Sequence, residues 1–352
     1  TLSGTINATG QTVLLRQNSD NEAIEIGSNG GTNDELELSS TELNSITADL
    51  LRIGHSGAGN IDITSNVTLA SAPVLSLVTG GVITDSGAGS IAATNLAIQA
   101  AGTVTLDNIG SVGSLAASVS GAGNSFTLTN EDDGLMIGSN IDGLTGITTA
   151  DNTAGSTGSI TLSTTSGAID VAEALMTGNA SGAAGVASGS ISLTAGSGAI
   201  FGAASPQTGS ATSNDGGAGS ATSGNITLSG SEITDDGAAT ASGAFVVSIG
   251  SASGGNSNVD GSLLATVTGL GDAGEIIVSA AEDLAVATLD TANADTTTVN
   301  VTVTTANNTL TISNAVDVDQ DDVTLTADDV TITNGITGSG TLLLQPLTTT
   351  RS

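Results

Sequence analysis

The sequence predicts an all-β protein: a parallel β-helix, or β-solenoid, in which about three short strands form each coil of roughly 20 to 25 residues. Two observations lead to this prediction. Segments with alternating apolar residues recur along the chain, each followed by a turn of Gly, Asn, Asp, Ser or Ala. Most strands also begin about seven residues apart, which leaves no room for crossover helices, and no segment has a 3.6-residue apolar period.

Composition separates a solenoid from a string of β-sandwich domains. The 352 residues include three Phe and neither Trp nor Tyr. Sandwich domains usually hold an aromatic side chain in the core, whereas a narrow solenoid needs only stacked aliphatic side chains. The aliphatic pairs are clearest in two series, one near each end of the chain. The pairs are Ile61/Ile63, Val67/Leu69, Leu75/Leu77, Leu96/Ile98 and Val104/Leu106, then Val299/Val301/Val303, Leu310/Ile312, Val316/Val318, Val323/Leu325, Val330/Ile332 and Leu342/Leu344.

The middle third, at about residues 150–260, is predicted to consist of longer coils with inserted loops. Similar segments begin at Gly158, Gly189 and Gly224, which are 189 − 158 = 31 and 224 − 189 = 35 residues apart. The Gly-, Ser- and Ala-rich stretches Ala172–Ser188 and Ala203–Ser223 are then expected to leave the solenoid as flexible or β-edged loops.

The two ends of the chain resemble each other. Ile336–Gly340 and Thr341–Gln345 match Ile6–Gly10 and Thr12–Arg16, at an offset of 336 − 6 = 330 residues. We therefore expect residues 1–352 to be a single continuous solenoid of slightly more than one tandem period of about 330 residues. We also expect the coils to continue beyond both ends, with no helix or charged cap over either one.

The charge balance restricts the partners. There are 35 acidic residues against three Lys and Arg together, for a formal net charge of −32, and no Cys. Nucleic acid and anionic membrane surfaces are repelled, because binding them requires clusters of basic residues. The sequence contains no run of 18 apolar residues, so it predicts no insertion into a membrane. The absence of Cys is typical of many bacterial extracellular proteins. The chain begins at Thr1 with neither Met nor a basic, apolar leader, so we expect a processed or excised product.

One part of the chain resembles a known family. Residues Leu38 to Asp107 are similar to a recurring segment of filamentous haemagglutinin-type proteins, which bacteria export by the two-partner route. The matching parts are Thr41–Ala48, Leu51–Gly54, Gly59–Ile63, Gly80–Ile83, Asn95–Ala97 and Gly102–Leu106, with a further match at Leu342–Pro346. This resemblance implies the right-handed parallel β-helical shaft of a large adhesin or extracellular fibre, secreted or displayed on a bacterial surface, and it supplies no catalytic residues.

Enzymatic β-helices need catalytic side chains that converge on one site, and the sequence does not place such side chains together. Polysaccharide lyases use a basic residue to abstract a proton, and the three Arg lie far apart with no Lys. Glycoside hydrolases need converging carboxylates. The acidic pairs, at 132–133, 235–236 and 328–329, read as solvated turns or as neighbours that point to opposite faces of a strand. His55 reads as a coil-corner residue, so we predict that the protein is not an enzyme.

A calcium loop is the one metal site that the sequence suggests, and no cofactor is required. Asp317, Asp319, Asp321 and Asp328 fall at positions one, three, five and twelve of such a loop, but position six is Asp rather than Gly. The alternative is a turn in which these carboxylates face water while Val316 and Val318 face the core.

Three functions remain open. The first is a structural extracellular fibre or adhesin shaft, with neighbouring copies or repeats as end-to-end partners and a cell-surface or carbohydrate receptor as a further one. The second is a carbohydrate-binding or carbohydrate-active β-helix, which the lack of Trp and Tyr disfavours. The third is an ice-binding solenoid. Its candidate Thr-x-Thr strands follow each other at about seven residues, so we expect them on different faces; they are Thr302/Thr304, Thr309/Thr311, Thr324/Thr326 and Thr331/Thr333.

Overall fold

The computed structural model describes most of the chain, in ranges separated by gaps. The described ranges are 2–27, 35–87, 89–131, 134–183, 185–214, 220–231, 233–234, 245–250, 252–253, 258–259, 262–267, 275–280, 283–290, 298–304, 308–314, 316–318 and 322–347. Within them the regular secondary structure is almost entirely β-strand, with one helix of five residues.

The strands are short, as the turn spacing predicts. The first third holds β1 (Ile6–Leu15), β2 (Ile24–Gly27), β3 (Leu36–Ser39), α1 (Ser40–Asn44), β4 (Ile46–Gly54), β5 (Ile61–Ile63), β6 (Val67–Thr68), β7 (Val74–Thr79), β8 (Ile83–Asp85), β9 (Ile91–Ala100), β10 (Val104–Ile109) and β11 (Ser111–Val119). The middle holds β12 (Phe126–Asn130), β13 (Leu135–Ile137), β14 (Ile147–Thr149), β15 (Ile160–Thr164), β16 (Ile169–Asp170), β17 (Leu175–Met176), β18 (Ala180–Gly182), β19 (Val186–Ala187), β20 (Ile191–Ala195), β21 (Ile200–Phe201), β22 (Pro206–Gln207), β23 (Ala211–Ser213), β24 (Ala221–Thr222), β25 (Ile226–Gly230), β26 (Ile233–Thr234), β27 (Phe245–Val247), β28 (Ala252–Ser253) and β29 (Asn258–Val259). The last part holds β30 (Ser262–Val267), β31 (Glu275–Ala280), β32 (Leu284–Asp290), β33 (Thr298–Val303), β34 (Thr309–Ile312), β35 (Val316–Asp317), β36 (Asp322–Thr326), β37 (Asp329–Ile332), β38 (Ile336–Thr337) and β39 (Leu342–Gln345).

The strands form two long parallel sheets. Sheet I contains β1, β4, β6, β7, β9, β11, β13, β14, β16, β17, β21, β22, β26, β27, β31, β33, β36 and β39, and sheet II contains β2, β3, β5, β8, β10, β12, β15, β20, β25, β30, β32, β34, β35, β37 and β38. In the last described coils, β34, β35 and β36 pair in parallel with β37, β38 and β39, so that three strands make one coil. The predicted parallel β-solenoid is confirmed, and its right-handed sense stays a prediction.

One aliphatic core runs through the coils. Inward residues stack on their equivalents in the next coil, as in the ladder Ile61, Ile83, Val104 and Phe126, all of them fully buried. Phe126 is the largest of these side chains. Because each strand alternates inward apolar and outward polar residues, every coil buries one face and leaves the other free.

The middle coils are longer, as predicted, but their insertions are not loose loops. Residues 31 positions apart pair between β15 and β20, and residues 35 positions apart pair between β20 and β25. The extra residues form two further parallel sheets, β18–β23–β28 and β19–β24–β29. Ala180, Val186, Ala211 and Ala221 pack between these two sheets. The insertions therefore build a side lobe with a thin core of its own, which fits the β-edged alternative of the prediction and not the flexible one.

A double column of hydroxyl–glycine pairs joins the side lobe to the solenoid, and we call it the neck. Thr177 Oγ1 donates to the Gly189 carbonyl at 2.9 Å and accepts from the Gly209 amide at 2.9 Å. Thr157 makes the same two contacts with Gly178 and Gly189. Gly is required there because a Cβ on Gly189 would lie 1.9 Å from the Gly158 carbonyl oxygen.

The N-terminal layer contains a helix where the sequence predicts none, although β1 and β3 remain edge strands among the described residues. After β2 the chain returns one layer to form β3, which pairs on the outer edge of β2, and α1 follows it. Leu43 of α1 is buried in the core, and Ser39 caps the helix in a reciprocal capping box with Glu42. A five-residue helix is too short to show a 3.6-residue period, which is why the sequence pattern did not predict it.

Candidate functional site

The structure tests only part of the predicted calcium loop. Asp317 lies at the end of β35 and pairs with Asp290 of β32, and Asp328 is half-buried between β36 and β37. Asp319 and Asp321 lie outside the described residues. Among the described residues, no three His, Asp or Glu side chains come together as a metal site. The calcium site stays a prediction, whereas the inward positions of Val316 and Val318 are confirmed, because both are buried.

His55 and Asp329 are the remaining candidates that the structure describes. The pairs at 132–133 and 235–236 fall outside the described residues, and Asp329 is exposed at the start of β37. His55 follows β4 directly, and its Nδ1 accepts a hydrogen bond from the Gly57 amide at 3.1 Å. The same Nδ1 lies 4.0 Å from Asp20 Oδ1. His55 therefore stabilises a coil corner, as its position in the sequence suggests.

Sequence reasoning missed one pair of neighbouring carboxylates. Asp85, at the end of β8, accepts hydrogen bonds from the amides of Asp107 and Asn108 at 3.2 Å and 2.8 Å. Burial raises the pKa of Asp85, with a further contribution from the Asp107 carboxylate, against these two backbone hydrogen bonds. The two acids are 22 residues apart, which is one coil, so only the coil period could have revealed them. Asp85 therefore satisfies two amides within β10, where the strand register shifts between Leu106 and Ile109.

A polar groove lies between the solenoid and the side lobe. Its volume is about 490 Å³. Met176 and Gln207 project into it from successive coils, and Asn179 and Ser210 follow where the chain enters the lobe. The full lining is Met176, Thr177, Asn179, Gln207, Thr208, Gly209, Ser210, Ser248, Ile249, Gly250 and Asp283. Amide, hydroxyl and carboxylate groups beside the apolar side chains of Met176 and Ile249 suit a neutral polyhydroxyl ligand.

A strap crosses the outer surface of sheet I. Residues 138–146, between β13 and β14, fold back so that Ile141 packs on Ala97 and Ala116. At its tip, Asp142 accepts from Arg52 Nε at 2.9 Å and from Arg52 Nη2, which makes a bidentate ion pair. Arg52 and Asp142 are 90 residues apart in the chain, so the strap ties together coils that are remote in sequence.

The two end layers of the described chain expose apolar residues whose strand partners in the adjacent coil are buried. Leu342 and Leu344 lie in register with buried Val323 and Leu325, yet they are 44% and 48% exposed. At the other end, Val13 and Leu15 of β1 are half-buried and in register with the buried residues of β4. The outward Leu14 and Leu343 are 48% and 47% exposed.

The Thr-x-Thr pairs that the sequence singled out lie on different faces, as expected. The strands β33 and β36, which hold the Thr302 and Thr324 pairs, belong to sheet I, whereas β34 and β37, which hold the Thr309 and Thr331 pairs, belong to sheet II.

No protein-family model, curated protein or solved structure matches this chain. No helix in the described ranges is long and apolar enough to cross a membrane.

Proposed function

We propose that this chain is a structural shaft of an extracellular fibre or adhesin and not an enzyme. The observation that carries the proposal is the continuous ladder of parallel strands around one aliphatic core. Sheet II follows a path of 13 successive strands from β3 to β37. At about 4.8 Å per strand, this path makes a rod about 58 Å long. The resemblance of Leu38 to Asp107 to haemagglutinin-type shafts supports a location outside the cell or on a bacterial surface.

The end layers support stacking of one copy, or one repeat, on the next. β39 and β1 are the edge strands of sheet I, and β37 and β3 are edge strands of sheet II. In a head-to-tail stack, Leu342 and Leu344 of one copy would lie over Val13 and Leu15 of the next. Such a heterologous contact repeats without closing, so it produces a filament. The predicted period of about 330 residues stays a prediction.

A cysteine cross-link tests this stacking, because the chain has no Cys of its own. Leu14 and Leu343 both point outward from the edge strands, and neighbouring parallel strands place such residues within disulfide distance. The double variant Leu14→Cys/Leu343→Cys should form covalent oligomers on mild oxidation. The two sites lie at opposite ends of a rod about 58 Å long, so a bridge within one copy is excluded.

The matched control is Leu14→Cys/Met136→Cys, since Met136 is similarly exposed but lies in the middle of the shaft. Electron microscopy of the wild-type chain should show rods and end-to-end filaments. Equal cross-linking of both pairs, or single rods at every concentration and ionic strength, would contradict the fibre proposal.

The polar groove favours a second candidate function, the binding of a neutral saccharide. Met176, Gln207 and Ser248 present a side chain at each successive coil, and Asn179 and Ser210 add an amide and a hydroxyl. Titration with neutral oligosaccharides should shift the NMR signals of the Gln207 and Asn179 side-chain amides. Unchanged spectra at millimolar saccharide, or equal binding by the Gln207→Ala variant, would reject this function.

A further inference from the structure

The outward side of sheet II carries only hydroxyl residues at eight positions in four successive coils. They lie on β12, β15, β20 and β25, and we call them the hydroxyl face. Its members are Thr127, Thr129, Thr161, Ser163, Ser192, Thr194, Thr227 and Ser229. Seven of these side chains are half-buried and Thr194 is exposed.

The eight hydroxyls form a two-dimensional lattice. Thr127, Thr161, Ser192 and Thr227 are strand partners in one column, and the other four residues form a second column in the same register. Parallel strands place the rows about 4.8 Å apart, and residues i and i+2 of a strand place the columns about 6.6 Å apart. Thr105 and Thr84 extend the first column by two more coils.

General richness in Ser and Thr does not explain this lattice. The outward positions of sheet I in the same coils hold unlike residues. One column there reads Met136, Asp170 and Phe201, and another includes Met176 and Gln207. Hydroxyl residues are therefore concentrated on the outward side of sheet II, whereas these outward positions of sheet I hold residues of different kinds.

The lattice also keeps its register although the coils differ in length. Successive coils add 34, 31 and 35 residues between paired positions of β12, β15, β20 and β25. The added residues go into turns and the side lobe, and the hydroxyl face is unchanged. Buried Ile160 and Leu162, with their equivalents in the other strands, hold each strand at a fixed depth.

The face is uncharged and its edge is fixed by backbone contacts. None of its eight residues is acidic, in a chain with a net charge of −32. Beside it runs a further column, in which Ser125, Ser159 and Ser190 each accept a hydrogen bond from the backbone amide of the next coil at 3.0 Å. Inside the lattice, Thr129 Oγ1 and Ser163 Oγ lie 2.8 Å apart.

We propose that the hydroxyl face binds ice. A regular array of hydroxyls on a rigid sheet holds bound waters at fixed spacings, and these spacings lie near the oxygen repeats along two directions of the ice lattice. The Thr methyl groups fill the space between the hydroxyls and limit how the bound waters orient. An uncharged face suits a neutral crystal, because charged groups would hold their own hydration shells. This activity is independent of the shaft function.

Ice partitioning tests the proposal directly. A slowly growing ice front should incorporate the wild-type chain and exclude a non-binding reference protein. In the variant Thr161→Tyr/Ser192→Tyr, two rings stand above the centre of the lattice and should reduce incorporation to the level of the reference protein. The control variant Met136→Tyr/Phe201→Tyr places the same rings on sheet I of the middle coils and should keep wild-type incorporation.

Circular dichroism and the thermal midpoint confirm that each variant is folded. Thr161→Val, which keeps the shape and removes one hydroxyl, should lower thermal hysteresis with no change of midpoint. Exclusion of the wild-type chain from ice would overturn the proposal, as would equal incorporation of the two double variants. Binding to a crystalline neutral polysaccharide without binding to ice would also overturn it, and would assign the face to that ligand.

Discussion

At the scale of single residues, the hydroxyls of the neck replace strand pairing where the chain leaves the solenoid. The segment that enters the side lobe and the segment that returns from it run side by side at this point. In the described part of these segments, no ladder of strand pairing joins them. Thr149, Thr157, Thr177 and Ser188 each donate to a Gly carbonyl and accept from a Gly amide. All four are buried, so neither bond has water as a substitute.

The substitution Thr177→Val should therefore be costly. It keeps the side-chain shape but leaves the Gly189 carbonyl and the Gly209 amide without this partner in a buried position. Each buried group left unpaired costs about 1 to 3 kcal/mol, so the free energy of unfolding should fall by about 3 kcal/mol. Urea unfolding measures this change. The control Thr177→Ser keeps the hydroxyl and should lose less than half as much; equal losses in the two variants would show that the hydrogen bonds contribute little.

At the scale of elements, α1 depends on the charge of one carboxylate. Glu42 accepts hydrogen bonds from the Ser39 amide at 3.0 Å, from Ser39 Oγ at 2.8 Å and from the Leu2 amide at 2.5 Å. These bonds, that of the Ser39 backbone first, lower the pKa of Glu42 to about 2. The folded state thus binds the charged form more tightly than the unfolded state does.

The stability that Glu42 contributes should depend on pH. It is fully present above its unfolded pKa of about 4.5 and is lost as the pH falls towards about 2. Allowing for solvent screening, the contribution is on the order of 2 kcal/mol. Unfolding of wild type and Glu42→Gln at several pH values measures it, and the difference between them should shrink over this acid range. A difference that is constant with pH would contradict the assignment.

The strap is held at its tip by one ion pair, between Asp142 and Arg52. Asp142 is 6% exposed and Arg52 is 36% exposed, so Arg52→Ala would leave a buried carboxylate without its ion partner. We expect a loss of about 2 kcal/mol and faster hydrogen exchange of the Ile141 and Leu144 amides. Arg52→Lys keeps the charge but not the bidentate geometry and should lie between wild type and Arg52→Ala. Unchanged exchange at both amides would show that packing alone holds the strap.

These elements show what the sequence could predict. The Ile-x-Leu segments of β15, β20 and β25 were predicted because alternation is a local signal. The neck, the strap and the hydroxyl face were not, because each depends on residues one or more coils apart, such as Arg52 and Asp142. The Thr-x-Thr pairs that the sequence singles out lie in strands that follow each other along the chain. The hydroxyl lattice instead joins strands that are one coil apart. The calcium loop was proposed from local spacing, and the described residues leave it untested.

At the scale of the whole molecule, the rod carries charge as densely as a nucleic acid. Its net charge is −32. Spread over a rod about 58 Å long, this is one negative charge per about 1.8 Å, against about 1.7 Å in duplex DNA. Neighbouring charges lie well within the Debye length of about 10 Å at 0.1 M salt, so their repulsion opposes both coil stacking and end-to-end assembly.

We therefore predict that salt stabilises the rod strongly. The thermal midpoint should rise as NaCl increases from about 10 mM to about 1 M, because screening removes the repulsion between coils. Millimolar Mg²⁺ and Ca²⁺ should have the same effect at much lower ionic strength, and should match each other. A diffuse ion atmosphere responds to the valence of an ion and not to its size. Differential scanning calorimetry measures the midpoint, and cross-linking of the Leu14→Cys/Leu343→Cys variant follows assembly in the same salts.

Comparing the two divalent ions separates diffuse screening from the calcium loop. A dedicated loop site would favour Ca²⁺, because Mg²⁺ demands a smaller, octahedral set of ligands. The variant Asp319→Asn/Asp321→Asn would abolish such a preference, but under diffuse screening it removes only two of 35 acidic residues and should respond to both ions almost as wild type does. A midpoint that rises with Ca²⁺ alone, and only when Asp319 and Asp321 are intact, would establish the site and contradict the ion-atmosphere account.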